Sequence, residues 1–229
     1  MRYLLICLLI CFAPQSLGRP NHKLKIGIVS LYDKNYKHIG IYSDLNKKKY
    51  AAKHKYNLIL YHKTLDKMRP TAWSKIRALQ LHLNHYDWLM WTDADSLIMN
   101  SNIKLESLID PTYDLIISCQ ADGTINTGSF IIKNSNWSRA LLKKIYDQTE
   151  CIHHPWWEQQ ALIYLLDNYH ELYDHIKIVP QRTMNSHPFH AGGEYKTGDF
   201  IIHMYNGPNM NKQKLMKEYY AISLLNWNS

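Results

Sequence analysis

A short apolar run followed at once by two aspartates constrains the fold of this chain more than any other feature. Residues 88–91 (WLMW) contain no polar side chain, and Asp93 and Asp95 follow them with one residue in between. A continuous apolar run of this kind is typical of a strand buried on both faces, as in a parallel sheet covered by helices. The run therefore predicts an α/β domain in which two carboxylates follow the end of a buried strand.

Strand-like and helix-like patterns alternate along the chain around this run. Further strands are predicted at 24–31, 56–61, 114–118, 128–132, 176–179 and 200–204. Helices are predicted at 42–55, 71–83, 137–145, 157–165 and 212–225. Thr71 would cap the second helix, and its apolar face would be Ala72, Ile76, Leu79 and Leu83. The alternation predicts an α/β sandwich with a mainly parallel central sheet, and such sheets bind ligands at the carboxyl ends of their strands.

The first 18 residues are predicted to form a separate segment. Arg2 precedes an apolar stretch at 3–13, and small residues at 16–18 offer a cleavage point. This pattern favours a signal peptide over a short membrane anchor, because a membrane span needs about 20 apolar residues. Residues 19–229 are expected to form a single domain.

Cysteine content and charge narrow the classes of function. Outside the leader the chain has Cys119 and Cys151, which form no metal-binding spacing; a single disulfide between them stays open. The formal net charge is +8, and the lysines at 47–55 are interpreted as a solvated helix face. No DNA- or RNA-binding motif is recognisable, so we expect no nucleic-acid partner. The basic charge leaves association with an anionic membrane open.

Asp93 and Asp95 suggest diphosphate binding through a metal ion. An unpaired buried carboxylate is costly, and a divalent cation is a natural partner for it. Magnesium and manganese prefer oxygen ligands and commonly join carboxylates to substrate phosphates. Taken alone, however, the tripeptide also fits an ordinary turn. It also fits a haloacid-dehalogenase-like phosphatase with Asp93 as nucleophile, although that motif normally follows the first strand of its fold.

Six blocks of sequence, in this order and spacing, resemble glycosyltransferase family 34. The blocks are residues 73–76, 86–100, 126–134, 137–138, 158–162 and 198–203. The resemblance covers about residues 24–205. The family includes fungal Golgi α-galactosyl- and α-mannosyltransferases and plant xyloglucan xylosyltransferases. The resemblance implies a GT-A fold and a manganese-dependent, retaining reaction that uses a UDP- or GDP-sugar donor.

The resemblance also implies roles for individual residues. Asp93 and Asp95 match the family's D-x-D pair, and His203 matches the histidine that completes the metal site from a late strand. Glu158 and Gln159 match an acidic–glutamine pair near the reacting sugar, and are the expected catalytic residues. Trp157 and Ala161 would face the core, which leaves Glu158 and Gln159 partly on another face of the helix. A solvated helix face is the alternative for these two.

A donor-binding set follows from the same resemblance. It comprises Asp93, Lys75, Ser30, Asn126, Gly128 and Gly207. Lys75 could steady a phosphate near the D-x-D pair, and Ser30 stands at the end of the first predicted strand. Residues 126–129 would shape the floor of the sugar site or simply form a turn, and Asn185 also fits a family position.

The segment after His203 departs from the family pattern. Gly207 stands one place late, and no lysine occupies the position from which the family contacts the diphosphate. Either Lys212 or Lys214 replaces that lysine, or the metal ion alone stabilises the leaving group.

The expected partners are a nucleotide-sugar donor and a glycan or glycoconjugate acceptor. A leader combined with a donor-using site indicates the Golgi lumen or a membrane-associated part of the secretory pathway. A bacterial cell envelope or secretion is the alternative. A secreted carbohydrate-binding protein with a degenerate transferase site also stays open, because 17 tyrosines and 7 tryptophans suit sugar stacking.

Overall fold

A computed structural model describes residues 23–189, 192–205 and 211–227 of the chain. The predicted leader and Gly207 lie outside the described residues. Strands β1 to β8 are Ile26–Leu31, Asn57–Tyr61, Trp88–Thr92, Ser96–Ile98, Leu115–Cys119, Ile125–Lys133, Ile176–Val179 and Ile201–His203. Helices α1 to α6 are Lys37–His54, Ser74–His82, Asn136–Tyr146, Trp157–Asn168, Gln181–Met184 and Lys212–Asn226.

Six strands form the central sheet in the order β2-β1-β3-β6-β5-β7. The pairs β1–β2, β1–β3 and β5–β7 are parallel, and β6 runs antiparallel to both of its neighbours. The sheet is thus mixed and mostly parallel, which confirms the predicted α/β class. The chain places β2 on one side of β1 and β3 on the other, so the topology reverses between β1 and β3. In open α/β sheets, ligands bind at such a reversal, outside the carboxyl ends of the strands.

The run that follows helix α2 forms the middle of this sheet, as predicted. Leu89 and Trp91 pack into the core cluster that α2, α3 and α4 cover. Trp88 and Met90 pack into the cluster on the opposite face, which includes Tyr50 of α1. All four side chains of the run are buried, because helices cover both faces of the sheet.

A second, two-stranded sheet places a late segment of the chain beside the D-x-D segment. β4 and β8 pair antiparallel, with Ser96 opposite His203. The Met204 N–H donates to the Asp95 carbonyl at 2.8 Å. β4 was not predicted from the sequence, and β8 is shorter than the predicted strand at 200–204. This pairing brings His203 next to Asp95.

Several local predictions were wrong. Thr71 does not cap α2, which begins at Ser74 without a side-chain cap; the Thr71 hydroxyl instead donates to Asp33 at 3.0 Å. Trp157, expected to face the core, is 39% exposed. Lys47, expected on a solvated face, is fully buried.

Two further features concern the cysteines and the membrane. Cys119 and Cys151 are free thiols in the structure. No helix within the described ranges combines the length and the apolarity that crossing a membrane requires.

Candidate metal and donor site

Three predicted metal ligands converge at the carboxyl end of β3. Asp93 and Asp95 follow the strand directly, and His203 is the last residue of β8. His203 Nε2 lies 3.1 Å from Asp95 Oδ1 and 3.7 Å from Asp93 Oδ2. One potential ligand atom from each residue lies within 4.8 Å of the other two. The structure thus brings together residues that are more than 100 positions apart in sequence.

The Asp93 carboxylate has one oxygen held by neighbours and one directed at the imidazole. The Trp91 indole N–H donates to Asp93 Oδ1 at 2.6 Å, and Lys75 Nζ lies 3.2 Å from the same oxygen. Oδ2 is the oxygen that faces His203. The indole and the ammonium therefore fix the orientation in which Asp93 presents Oδ2 to the shared centre.

The two oxygens of the Asp95 carboxylate likewise have different partners. Tyr36 donates its hydroxyl to Asp95 Oδ2 at 3.0 Å, and the Lys212 ammonium donates to that oxygen at 2.6 Å. Oδ1 faces His203. Burial alone would raise the pKa of Asp95, but the neighbouring His203 and Lys212 hold it well below its usual range. The carboxylate is therefore ionised and available as a ligand.

The His203 ring is oriented by a contact on its far side. Nδ1 lies 2.9 Å from the Asn185 side-chain oxygen, which can only accept, so Nδ1 carries the proton. Nε2 is the ring nitrogen that faces the two carboxylates: it meets Asp95 Oδ1 at hydrogen-bonding distance in this structure, and it is the atom that would bind a metal ion in place of its proton. A Cβ on Gly128 would lie 2.1 Å from His203 Cε1, so the ring occupies the place where any other residue would have a side chain.

These features fit a divalent cation. Two carboxylate oxygens and an imidazole nitrogen are a sound donor set for manganese. A hydrogen bond from the outer ring nitrogen to an amide oxygen is the usual way in which a ligating histidine is oriented. Asn185, which also fits a family position in the sequence, supplies that bond.

A buried ion network connects the triad to the predicted catalytic pair. Lys75 Nζ donates to Glu158 Oε1 at 2.6 Å and to the Thr127 carbonyl at 3.0 Å. Burial alone would lower the pKa of Lys75, but the carboxylates of Asp93 and Glu158 outweigh it and raise that pKa. The lysine is therefore a permanent cation that links the two acids.

The two members of the predicted catalytic pair differ in exposure. Glu158 is buried behind Lys75, and its Oε2 has no hydrogen-bond partner among the described residues. Gln159 is partly exposed, and its Oε1 accepts the Thr127 N–H at 3.1 Å. Gln159 therefore reaches solvent beside Thr127, whereas Glu158 lies in the interior. Their catalytic roles stay predictions.

Two of the remaining predicted donor residues, Ser30 and Asn126, are hydrogen-bonded to Lys47 and Gly128, which both contact the Asp93 backbone. Ser30 is the buried penultimate residue of β1, and its hydroxyl accepts from Lys47 Nζ at 3.2 Å. The Asn126 side-chain oxygen accepts the Gly128 N–H at 2.8 Å and so shapes the start of β6. Lys214 is exposed and lies 3.8 Å from Glu218 of its own helix, whereas Lys212 reaches the triad. Their contacts with a donor stay predictions.

Sequence reasoning missed Lys47, Tyr36 and Trp91 as site residues. Lys47 Nζ donates to the Asp93 carbonyl at 2.7 Å as well as to the Ser30 and Ser43 hydroxyls. Desolvation lowers the pKa of Lys47 to about 8, although nearby aspartates oppose that shift. Lys47 therefore ties α1 to the ends of β1 and β3.

Comparison with known proteins gives a consistent result. The galactosyl transferase GMA12/MNN10 family matches residues 32–115 and 106–214. The probable alpha-1,6-mannosyltransferase MNN10 of Saccharomyces cerevisiae is 30% identical over 208 residues, which cover 69% of this chain and 53% of that protein. The uncharacterized alpha-1,2-galactosyltransferase C8D2.17 of Schizosaccharomyces pombe is 25% identical over 219 residues, which cover 75% and 64%. The chain thus spans between about half and two thirds of the length of these relatives.

Solved glycosyltransferases share the fold. A glycosyltransferase involved in the glycosylation of the major capsid of PBCV-1 superposes with a TM-score of 0.67 at 16% identity, covering 84% of this chain and 98% of that one. The galactosyltransferase LgtC, in complex with donor and acceptor sugar analogues, gives 0.54 at 14% identity, covering 85% and 95%. At such identities the likeness concerns the fold alone. That fold is the expected GT-A fold and not that of the phosphatases which the tripeptide alone would allow.

Proposed function

The chain belongs to the galactosyl transferase GMA12/MNN10 family, glycosyltransferase family 34, and on that premise we propose that it transfers a hexose or pentose from a UDP- or GDP-sugar to a glycan hydroxyl, with retention. The observation that carries the proposal is the convergence of Asp93, Asp95 and His203 at the carboxyl end of β3. A donor diphosphate is the substrate part that such a metal-binding triad recognises.

Manganese is the proposed metal. Held by the inward-facing oxygens of Asp93 and Asp95 and by His203 Nε2, it would supply Lewis-acid chemistry that offsets the charge of the departing diphosphate. Trp91 and Lys75 keep Asp93 in the required orientation, and Tyr36 and Lys212 do the same for Asp95. The protein's contribution is therefore a preorganised set of dipoles and charges.

Lys212 is the proposed replacement for the diphosphate-contacting lysine of the family. Its ammonium donates to Asp95 and to Tyr36, which accounts for two of its three N–H groups. The third has no partner among residues 23–189, 192–205 and 211–227, and it is the group that would contact an oxygen of the donor diphosphate. Lys214 does not suit this role, because its side chain is exposed beside Glu218.

The proposed transfer needs no histidine base. The acceptor hydroxyl attacks the anomeric carbon on the face from which the diphosphate leaves, and an oxygen of that diphosphate takes the hydroxyl proton. Gln159 is the partly exposed member of the pair, and its amide would orient the sugar as positive charge develops. Glu158 is buried and holds Lys75 in place, and Lys75 in turn fixes the orientation of Asp93.

The predicted leader and the need for a nucleotide-sugar favour the Golgi lumen or a membrane-associated part of the secretory pathway. A bacterial envelope or secretion is the alternative. The acceptor would be a glycan or glycoconjugate.

The proposal is tested with a panel of UDP- and GDP-sugars and manganese, scored for donor hydrolysis. Asp95→Ala should reduce turnover by at least about 100-fold, because a metal ligand is lost. Asp147→Ala is the matched control, since Asp147 pairs with Lys143 on the protein surface. Parental turnover by Asp95→Ala would refute the metal assignment. Sugar binding without turnover of any donor would favour the carbohydrate-binding alternative.

A further inference from the structure

Helix α4 begins with two consecutive tryptophans that the fold leaves exposed. Trp156 is 51% exposed and Trp157 is 39% exposed. Trp157 also has φ +43°, a conformation that a residue with a side chain rarely adopts. Among the described non-glycine residues, Lys55 alone shares a positive φ, and Lys55 simply ends α1 in the left-handed cap that many helices use.

The strain at Trp157 has no such ordinary explanation, because it occurs where a helix starts. Strained backbone persists where the surroundings impose it, and it clusters at active sites and ligand-binding segments. Two consecutive residues with exposed indoles also add apolar surface of the kind that marks a binding site. Backbone strain and exposed aromatic area therefore coincide at the start of α4.

These tryptophans directly precede the predicted catalytic pair, Glu158 and Gln159, in the chain. The backbone N–H of Gln159 donates to the Trp156 carbonyl at 2.9 Å, so the tryptophans and the predicted sugar-facing residue share the first turn of α4. Gln159 in turn accepts the Thr127 N–H. The His154 ring holds Trp156 in place: its Nδ1 accepts the Trp156 N–H at 3.1 Å, and the two rings meet edge to face.

The chemistry of these indoles suits an uncharged ring. An indole offers a large apolar face and one N–H, which matches the C–H face and hydroxyl edge of a pyranose. The cationic group that suits phosphate is Lys212, which contacts Asp95 of the triad. Because the exposed indoles directly precede Glu158 and Gln159, an acceptor that reaches Gln159 would have an indole face within one helical turn of that residue.

We propose that Trp156 and Trp157 form an acceptor platform that stacks against a pyranose ring of the glycan acceptor. This proposal rests on the transferase function proposed above. The platform would fix the acceptor sugar over Gln159, so that its hydroxyl meets the anomeric carbon of the donor.

The test compares Trp156→Ala, Trp157→Ala and Trp157→Gly with the parent, using α-mannobiose, lactose and cellobiose as acceptors. Both alanine variants should raise the acceptor KM about tenfold, the loss expected from one stacking contact. The donor KM, measured as hydrolysis without acceptor, should stay within about twofold, because the triad is untouched. Tyr164→Ala is the control: Tyr164 is an equally exposed aromatic residue of α4, at 47%, and its loss should not move either constant.

A second measurement separates binding from folding. Trp157→Gly should unfold at a temperature at least as high as Trp157→Ala, because glycine adopts φ +43° without strain, yet its acceptor KM should rise as much. Unchanged acceptor KM in both alanine variants would overturn the platform, as would a parent that hydrolyses donor but neither binds nor glycosylates any of the disaccharides.

Failure of the transferase proposal is distinguishable from failure of the platform. A parent that hydrolyses no UDP- or GDP-sugar refutes the first. The platform is then judged by quenching of tryptophan fluorescence by the same disaccharides. Quenching that is lost in the Trp156 and Trp157 variants supports it, and its retention overturns it.

Discussion

Replacing Gly128 with alanine should disable the metal site through a single methyl group. The new Cβ would lie 2.1 Å from His203 Cε1 and 2.3 Å from Nδ1, whereas ordinary contact begins at 3.4 Å. The ring would have to retreat by about 1 Å, while ligand distances in metal sites vary by only about 0.2 Å. The Asn185 hydrogen bond and the burial of His203 leave it little freedom to do so.

The expected result for Gly128→Ala is a fall in manganese affinity of roughly 10- to 100-fold, which corresponds to about 1.4–2.7 kcal/mol. The same crowding should lower stability by roughly 1–3 kcal/mol, or about 2–4 °C in Tm per kcal/mol for a chain of this size. Manganese binding is measured without donor, by calorimetry or by the electron-spin signal of the free ion. Thermal unfolding is followed in parallel.

Two controls isolate the effect of Gly128→Ala on the metal. Gly27→Ala also crowds the core, with its Cβ 2.8 Å from Leu89 Cδ2, but lies in β1 away from the triad. It should lose stability and keep its manganese affinity. His203→Ala sets the affinity of a site without the imidazole, and Gly128→Ala should approach that value. Parental manganese affinity in a folded Gly128→Ala protein would refute the assignment of His203 as a ligand.

Three further substitutions probe two supporting residues of the metal site and the C-terminal end of helix α1. Lys47→Met removes the ammonium that supports the Asp93 carbonyl, so stability should fall by roughly 1–3 kcal/mol and manganese affinity by about tenfold; calorimetric titration showing full affinity would contradict this. Tyr36→Phe removes the donor to Asp95 Oδ2 and should weaken manganese binding about tenfold with little change in Tm, whereas a large Tm loss alone would indicate a merely structural role. Lys55→Gly should raise stability by about 0.5–1 kcal/mol, because Lys55 ends α1 at φ 62°; a lower unfolding temperature would contradict it.

The central strand and the acidic pair could be predicted because their signals are local. Residues 88–91 are all apolar, and such a run needs cover on both faces wherever it lies in the fold. Asp93 and Asp95 follow at the end where α/β sheets bind ligands. His203 is different, because nothing near it in sequence identifies it as a ligand; its resemblance to a family position predicted it, and the pairing of β8 with β4 brings it to the triad.

The supporting residues could not be predicted because their partners are distant in sequence. Lys47 and the Asp93 carbonyl are 46 residues apart, and Tyr36 and Asp95 are 59 apart. Lysines are rarely buried unless they are paired, so a lysine cluster on a helix is normally solvated. Lys47 differs from its neighbours in sharing a helix face with buried Ser43 and Ala51, four positions away on either side; that spacing was the available signal.

The arrangement of lysines explains how the acidic pair can stand ready before a metal ion binds. Two adjacent carboxylates repel each other and would normally favour protonation of one of them. Here Lys75 holds Asp93 and Lys212 holds Asp95, while Lys47 binds the backbone carbonyl of Asp93, between the two acids. Each ammonium contacts the outer side of its partner, so the inward-facing oxygens stay available. The lysines therefore stabilise this region before an ion binds, so that the free energy of ion binding can contribute to positioning the donor.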